Sequence, residues 1–284
     1  MKIGSLDSCL SLLHEVLLAR KYKTWSLTYE QIMLYYLDVC VDNQRSREVK
    51  DGLHQYRNMA QTAAPSSLEK VIGHLLDKSE ALVVAAVRRE KATTDVSDLD
   101  NAATPESIML STMSSSYASS LSASGAVLPA LRFLWESYRS VLDILKTNSR
   151  LERTYHETAA KALRFCSAYA RKTEFRRLCD MLRLHLHHLQ RFGSSPSVIA
   201  ANVNKVKGWD GWTLESVELH LSTRFTQLTV ASELEQYTEG YKTVEDIYAV
   251  MQISKKKPKA KIMATYYDKL TKIFWVSKNH LFHA

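Results

Sequence analysis

The sequence has 284 residues, 45% of them hydrophobic, with eight Gly and five Pro. A chain of this size buries a full core without disulfide staples, and its scarcity of turn formers argues against a sheet-rich fold, which needs one about every ten residues. The net charge of +8 is segregated: residues 146–192 hold eleven Lys and Arg against four Asp and Glu, and residues 254–278 hold eight Lys against Asp268. Charge so divided points to an anionic neighbour, either a polyanion or an acidic protein.

In chain order, Leu6, Leu10, Leu13 and Leu17 recur at helical spacing and mark one apolar face. After a break over 21–25, Ser26 is expected to cap a second helix reaching Val41. A tight turn at 43–46 follows, with Ser46 capping a third helix through Val49, Leu53 and Tyr56. Pro65 interrupts the chain, and Ser66 with Glu69 reads as a capping box before a long helix from Leu68 to Lys91. Over 93–128 the character changes. Thr104-Pro105-Glu106 can open a short helix, and eight of the fourteen residues from Ser111 to Ser124 are serine. That stretch carries too little apolar surface to offset its ordering entropy and is expected to be mobile.

Beyond Pro129, Leu131, Leu134, Tyr138, Val141 and Leu145 line a further helix. Ser149 and Glu152 form a second capping-box pattern, ahead of a helix with Tyr155, Ala159, Leu163 and Cys166. A turn over 171–173 leads to a helix bearing Phe175, Leu178, Leu182, Leu186 and Leu189. The linker 193–211 contains three Gly and one Pro. Helices resume at Thr213, turn near 235–239 and run to Ile253, and the last spans Ala260 to Lys278. Trp135 and Trp275 fall on apolar faces and are expected in the core.

One unit recurs: helix, short polar turn, helix. The turns fall near Asn43, Lys172, Gln236 and Asn279, the last two 43 residues apart, within the period of helical-hairpin repeats. The stretch Leu228–Tyr241 resembles the crossing of a tetratricopeptide (TPR) repeat, with small and aromatic residues at the inner contacts. A lone hairpin leaves an apolar face bare, so stacking must bury it. The expected fold is all-α, an irregular TPR/HEAT-like solenoid of helical hairpins; a plain helix bundle satisfies the same pattern. The expected division is N-terminal hairpins (1–92), a Ser-rich linker (93–128), a basic helical repeat (129–192), a loop (193–212) and TPR-like repeats (213–284).

Catalytic signatures are missing from the sequence: it has no GxxxxGK followed by Ser or Thr, no GxGxxG, HExxH or GxSxG, and no zinc-finger spacing. No enzyme activity, cofactor, metal or small-molecule substrate is expected. His185, His187 and His188, with Cys179 upstream, form the one metal-like cluster. His185 and His188 share a helical face, but Cys179 lies on the opposite side, so solvated histidines are the plainer reading and an all-α metal-dependent enzyme the remote one. Glu233, Glu235, Glu239, Glu245 and Asp246 read as a solvated carboxylate face. Four dispersed cysteines, no signal peptide and no long apolar run fit reduced thiols in the cytoplasm and no membrane span.

The basic residues admit two readings. Arg153, Arg164, Arg171, Lys172, Arg176, Arg177 and Arg183 either contact phosphates by charge alone or form a solvated face whose stems cover apolar neighbours. Lys255, Lys256, Lys257, Lys259 and Lys261, around Pro258, form either a solubilising loop or an electrostatic contact. Trp209 and Trp212 flank an Asp-Gly turn, as anchors on their own domain or for a partner.

Several strings, in order, resemble one family: Thr104-Pro-Glu-Ser-Ile-Met-Leu110, Phe133-Leu-Trp-Glu-Ser-Tyr-Arg139, Asn148-Ser-Arg-Leu-Glu-Arg153, Glu174-Phe-Arg-Arg-Leu-Cys-Asp180, Val244-Glu-Asp-Ile247, Ile273-Phe-Trp and Leu281-Phe-His-Ala284. They are similar to the largest subunit of eukaryotic translation initiation factor 3, a PCI-domain family. The resemblance implies a non-catalytic helical-repeat scaffold that leads into a PCI winged helix and pairs with a second PCI subunit. It also implies contacts with protein and rRNA of the small ribosomal subunit. Set against that family, the sequence begins inside the first hairpin and stops ahead of the winged helix, so it is expected to be a piece of a longer protein. A repeat subunit of another PCI assembly, such as the proteasome lid or the signalosome, shares the fold and is the rival.

Overall fold

The computed structural model describes residues 6–18, 25–96, 127–146, 148–193, 212–253 and 260–283, and every regular element among them is helical. The Ser-rich stretch, the short helix expected at Thr104, Trp209 and Lys255, Lys256, Lys257 and Lys259 lie outside the described residues. The chain forms two compact units, Met1–Ile144 and Leu145–Ala284.

In the first unit the helices are α1 (Leu6–Leu18), α2 (Leu27–Asp42), α3 (Ser46–Ala63), α4 (Pro65–Val96) and α5 (Val127–Leu145). Helix α2 packs against both α3 and α4, burying Met33, Tyr36 and Leu37 with Leu53, Leu68 and Ile72. Trp135 on α5 is buried, as its apolar face requires. Ser66, expected to stand at the helix start, lies inside the helix. Helix α4 starts at Pro65, whose missing N–H would be unpaired there in any case. Its next serine is drawn into a tertiary network: Ser67 Oγ donates to Glu30 Oε2 at 2.5 Å, and Lys70 Nζ reaches Glu30 Oε1 at 2.6 Å. Lys70 and Ser67 together hold the Glu30 carboxyl below its ordinary value, against the opposing effect of burial.

Gly52 on α3 is required by close approach. A Cβ there would stand 2.5 Å from Tyr36 Cε1, and that ring is fully buried with its hydroxyl donating to the Glu48 carbonyl at 2.9 Å. Helix propensity alone favours alanine over glycine by about 1 kcal/mol. Overpacking opposes this by about 1–3 kcal/mol. Gly52→Ala is therefore expected to lower the urea midpoint of the first unit; a raised midpoint would show that Tyr36 yields freely.

In the second unit a 3₁₀ turn (Ser149–Leu151) leads into α6 (Glu152–Ala168), α7 (Lys172–Gly193), α8 (Leu214–Glu233), α9 (Tyr237–Ile253), α10 (Ala260–Val276) and the short α11 (His280–His283). Helix α8 packs on α6 and α9, and α10 lies against α8 and α9. Their core includes Leu186, Leu221, Leu228, Ile247 and Ile273. The small residues expected at the α8–α9 crossing are there: a Cβ on Gly240 would lie 3.7 Å from that of Ala231 and 3.3 Å from Ile273 Cδ1.

Two local expectations fail in this unit. The second capping box is displaced: Asn148 Oδ1 accepts from the Arg150 N–H at 3.1 Å, and Glu152 turns towards α8. Trp275 is 59% exposed rather than in the core. It stands two residues past Ile273, about 200° round the helix from that core contact, and its ring meets His280 and His283 of α11.

Four corners share one backbone form. Gln44, Ala170, Glu235 and Lys278 have φ of 53°, 50°, 58° and 58°. The residue after each sends its N–H back five positions: Arg45 to Cys40, Arg171 to Cys166, Gln236 to Ala231 and Asn279 to Phe274, at 2.8–2.9 Å. This is the Schellman closure, here made without glycine. All four corners lie within two residues of the turns expected from the sequence.

Candidate functional site

The corner at Ala170 sets Arg171 at the tip of the α6–α7 hairpin, and α7 then carries Lys172, Arg176 and Arg177 exposed along its length. Lys172 and Arg176 are one helical turn apart and share a face. Arg176 Nε donates to Gln236 Oε1 at 2.7 Å, which anchors its stem while the residue stays exposed. Arg164, exposed near the end of α6, and Lys261, exposed on α10, line a groove of about 910 Å³ whose apolar lining includes Val217, Leu221, Phe225 and Ile262. Arg153 is exposed and pairs with Glu215 at 3.2 Å, both side chains over two-thirds accessible, so that pair adds little stability.

Arg183, two turns on from Arg176 and on the same side of α7, is packed against α9. Its side chain is 19% exposed, with Nη2 at 3.4 Å from Glu239 Oε2 and Nε at 3.3 Å from Asp246 Oδ2. Glu239 and Asp246 are buried, which corrects the expectation of a solvated carboxylate face there. Arg224 of α8 completes the network, with Nη1 at 3.6 Å from Asp246, Nη1 donating to Gln227 Oε1 and Nη2 to the Leu182 carbonyl, both at 2.7 Å. Arg183 is thus a strut joining α7 to α9. Trp212 is half-buried against its own core, its ring 5.1 Å from His220.

The histidine cluster on α7 is divided by the helix. His185 is buried, with Nδ1 3.1 Å from the Tyr155 hydroxyl, while His187 and His188 are exposed. Cys166 and Cys179 are buried free thiols. Burial pushes Cys179 up to about 12 and Cys166 higher still, so neither is a ready thiolate. A different trio does converge: Glu152 and His156 on α6 with His220 on α8. Glu152 and His156 share a face at i, i+4, which the sequence shows, but their third member lies 64 residues on from His156.

The comparisons with known proteins cover the whole chain. The family model described as "eIF3a, PCI domain, TPR-like region" matches residues 1–284. The chain belongs to the eIF3a family. The eIF3a protein of Homo sapiens is 41% identical over 285 residues, covering 100% of this chain and 20% of that protein. The eIF3a proteins of Arabidopsis thaliana and Nicotiana tabacum are each 43% identical, over 100% and 99% of this chain and 28% and 29% of their own lengths. This chain therefore spans between about a fifth and three tenths of these eIF3a relatives. The TPR-like description agrees with the all-α hairpins and their repeated corners. No described helix is long and apolar enough to cross a membrane.

Proposed function

We propose that this chain is a non-catalytic scaffold segment of a translation initiation factor 3 complex. Its stacked hairpins hold neighbouring subunits, among them a second PCI subunit, and its basic face contacts rRNA and protein of the small ribosomal subunit. Membership of the eIF3a family carries this reading and favours it over a lid or signalosome component. The exposed row Lys172, Arg176 and Arg177, continued by Arg171 at the corner, supports the polyanion contact. Guanidinium groups displayed on a rigid helix bind phosphates by charge and counterion release, without reading bases. Arg164 and Lys261 extend the candidate surface; Arg183, tied to Glu239 and Asp246, serves the scaffold instead.

The test is Arg176→Glu with Arg177→Glu in the purified chain. Both side chains are exposed, so the fold should hold, with circular dichroism unchanged. Association with small ribosomal subunits should weaken at moderate salt, and the slope of log affinity against log salt should fall by about 2, one per lost phosphate contact. Equal co-sedimentation of variant and wild type at low and moderate salt would remove this face from the proposal.

A further inference from the structure

The convergence of Glu152, His156 and His220 has no part in the reading above. His156 and His220 are each 5% exposed, while Glu152 is half-buried and offers a route from solvent. Glu152 Oε1 lies 3.4 Å from His220 Nε2 and 4.0 Å from His156 Nε2, and all three ligand atoms fall within 4.8 Å of one another. His156 is held at its far side, with Nδ1 2.7 Å from Thr223 Oγ1. With Nδ1–H donating to Thr223, Nε2 presents a lone pair to the centre of the trio. That Nε2 is buried and has no hydrogen-bond partner. Ser216 Oγ donates to Glu152 Oε1 and fixes the carboxylate, and Trp212 packs against His220.

We propose that Glu152, His156 and His220 bind one divalent transition-metal ion of the zinc type. Two imidazoles and a carboxylate are a zinc donor set, with a fourth position left for water. Ligands of a tetrahedral zinc stand about 3.4 Å apart, given bonds of roughly 2.0–2.1 Å. The His220–Glu152 pair already has that spacing, and a closure of under about 1.5 Å brings in His156. Neutral imidazoles are the form that ligates, and with Nε2 on the ion His220 carries its ring proton on Nδ1. Thr223 and Ser216 act as the outer hydrogen-bonding shell that orients ligands at such centres. The ion ties α6 to α8, two helices already packed together.

The experiment uses the purified chain, stripped with EDTA and titrated with zinc against a chromophoric chelator, then with cobalt(II) to read visible d–d bands. One equivalent should bind, with a tetrahedral cobalt spectrum and a raised melting temperature. Glu152→Gln, which keeps the shape and an acceptor for Ser216, and His156→Gln should each weaken zinc by at least tenfold. Thr223→Val should weaken it by about tenfold through loss of orientation. Circular dichroism verifies that each variant is folded. His187→Gln with His188→Gln, on the exposed side of α7, should leave zinc binding unchanged. No stoichiometric zinc in the wild type, or loss of zinc in the α7 double variant with retention in Glu152→Gln, would overturn the assignment.

Discussion

Asp246→Ala is expected to lower the stability of the second unit by about 3–5 kcal/mol, the cost of leaving a buried charge without its partner. Asp246 is buried on α9 between Arg183 of α7 and Arg224 of α8. Arg224 cannot move out to water: it is 3% exposed and tethered to Gln227 and to the Leu182 carbonyl. Burial pulls its pKa down, and Asp246 is the first of the groups that oppose this. Glu239 compensates Arg183 but makes no ion pair with Arg224. Urea unfolding should therefore show a sharply lower midpoint. Replacing the pair, Arg224→Met with Asp246→Leu, should cost much less than Asp246→Ala, since no stranded charge remains. A loss below about 1 kcal/mol in Asp246→Ala would mean that water reaches Arg224.

The second large effect is a loss of stability with acid. Burial, then the neighbouring His220 and Arg224, pull His156 down to about 2 from an ordinary value of 6.5. Burial also lowers His220, although Glu152 opposes this. Facing His156 are Glu152 and Tyr155 on its own helix and His220, Thr223 and Arg224 on α8. Between the two values the unfolded chain takes up protons that the folded chain refuses. Stability is thus full above about 6.5 and falls as pH drops through that value. For His156 alone the loss from pH 7 to pH 5 is about 2 kcal/mol, and His220 adds to it. Glu30 and Asp38 of the first unit, whose values are lowered, matter only below the ordinary carboxylate range. Urea midpoints at pH 7, 6 and 5, in chelator so that no metal holds the imidazoles, should decline for wild type. They should decline less for His156→Gln; a flat wild-type profile would show that the cluster is hydrated.

What is legible in the sequence follows from the range of each interaction. Apolar spacing and short polar turns are local, so the helices and all four corners can be placed to within a few residues. The first capping box is misplaced because Pro65 already opens α4 ahead of Ser66, and the second because Glu152 is claimed by Ser216, distant in sequence. Arg183 and the carboxylates Glu239 and Asp246 read as two solvated faces, since each resembles one until the other is brought against it. Trp275 stands on the side of α10 away from Ile273, and apolar residues around the whole helix do not show which side is covered. Helical phase groups Arg176 with Arg183, two turns on, so it does not separate the exposed arginine from the one that α9 covers.

The corners carry a consequence for how such chains diverge. A bend that is locked by its own ring of amides, with glutamine, alanine, glutamate and lysine standing in the left-handed position, imposes no fixed letter on the sequence. Substitutions can pass through these points while the path of the backbone persists. Relatives can be recognised there by the rhythm of their helices long after the residues at the bends have ceased to match.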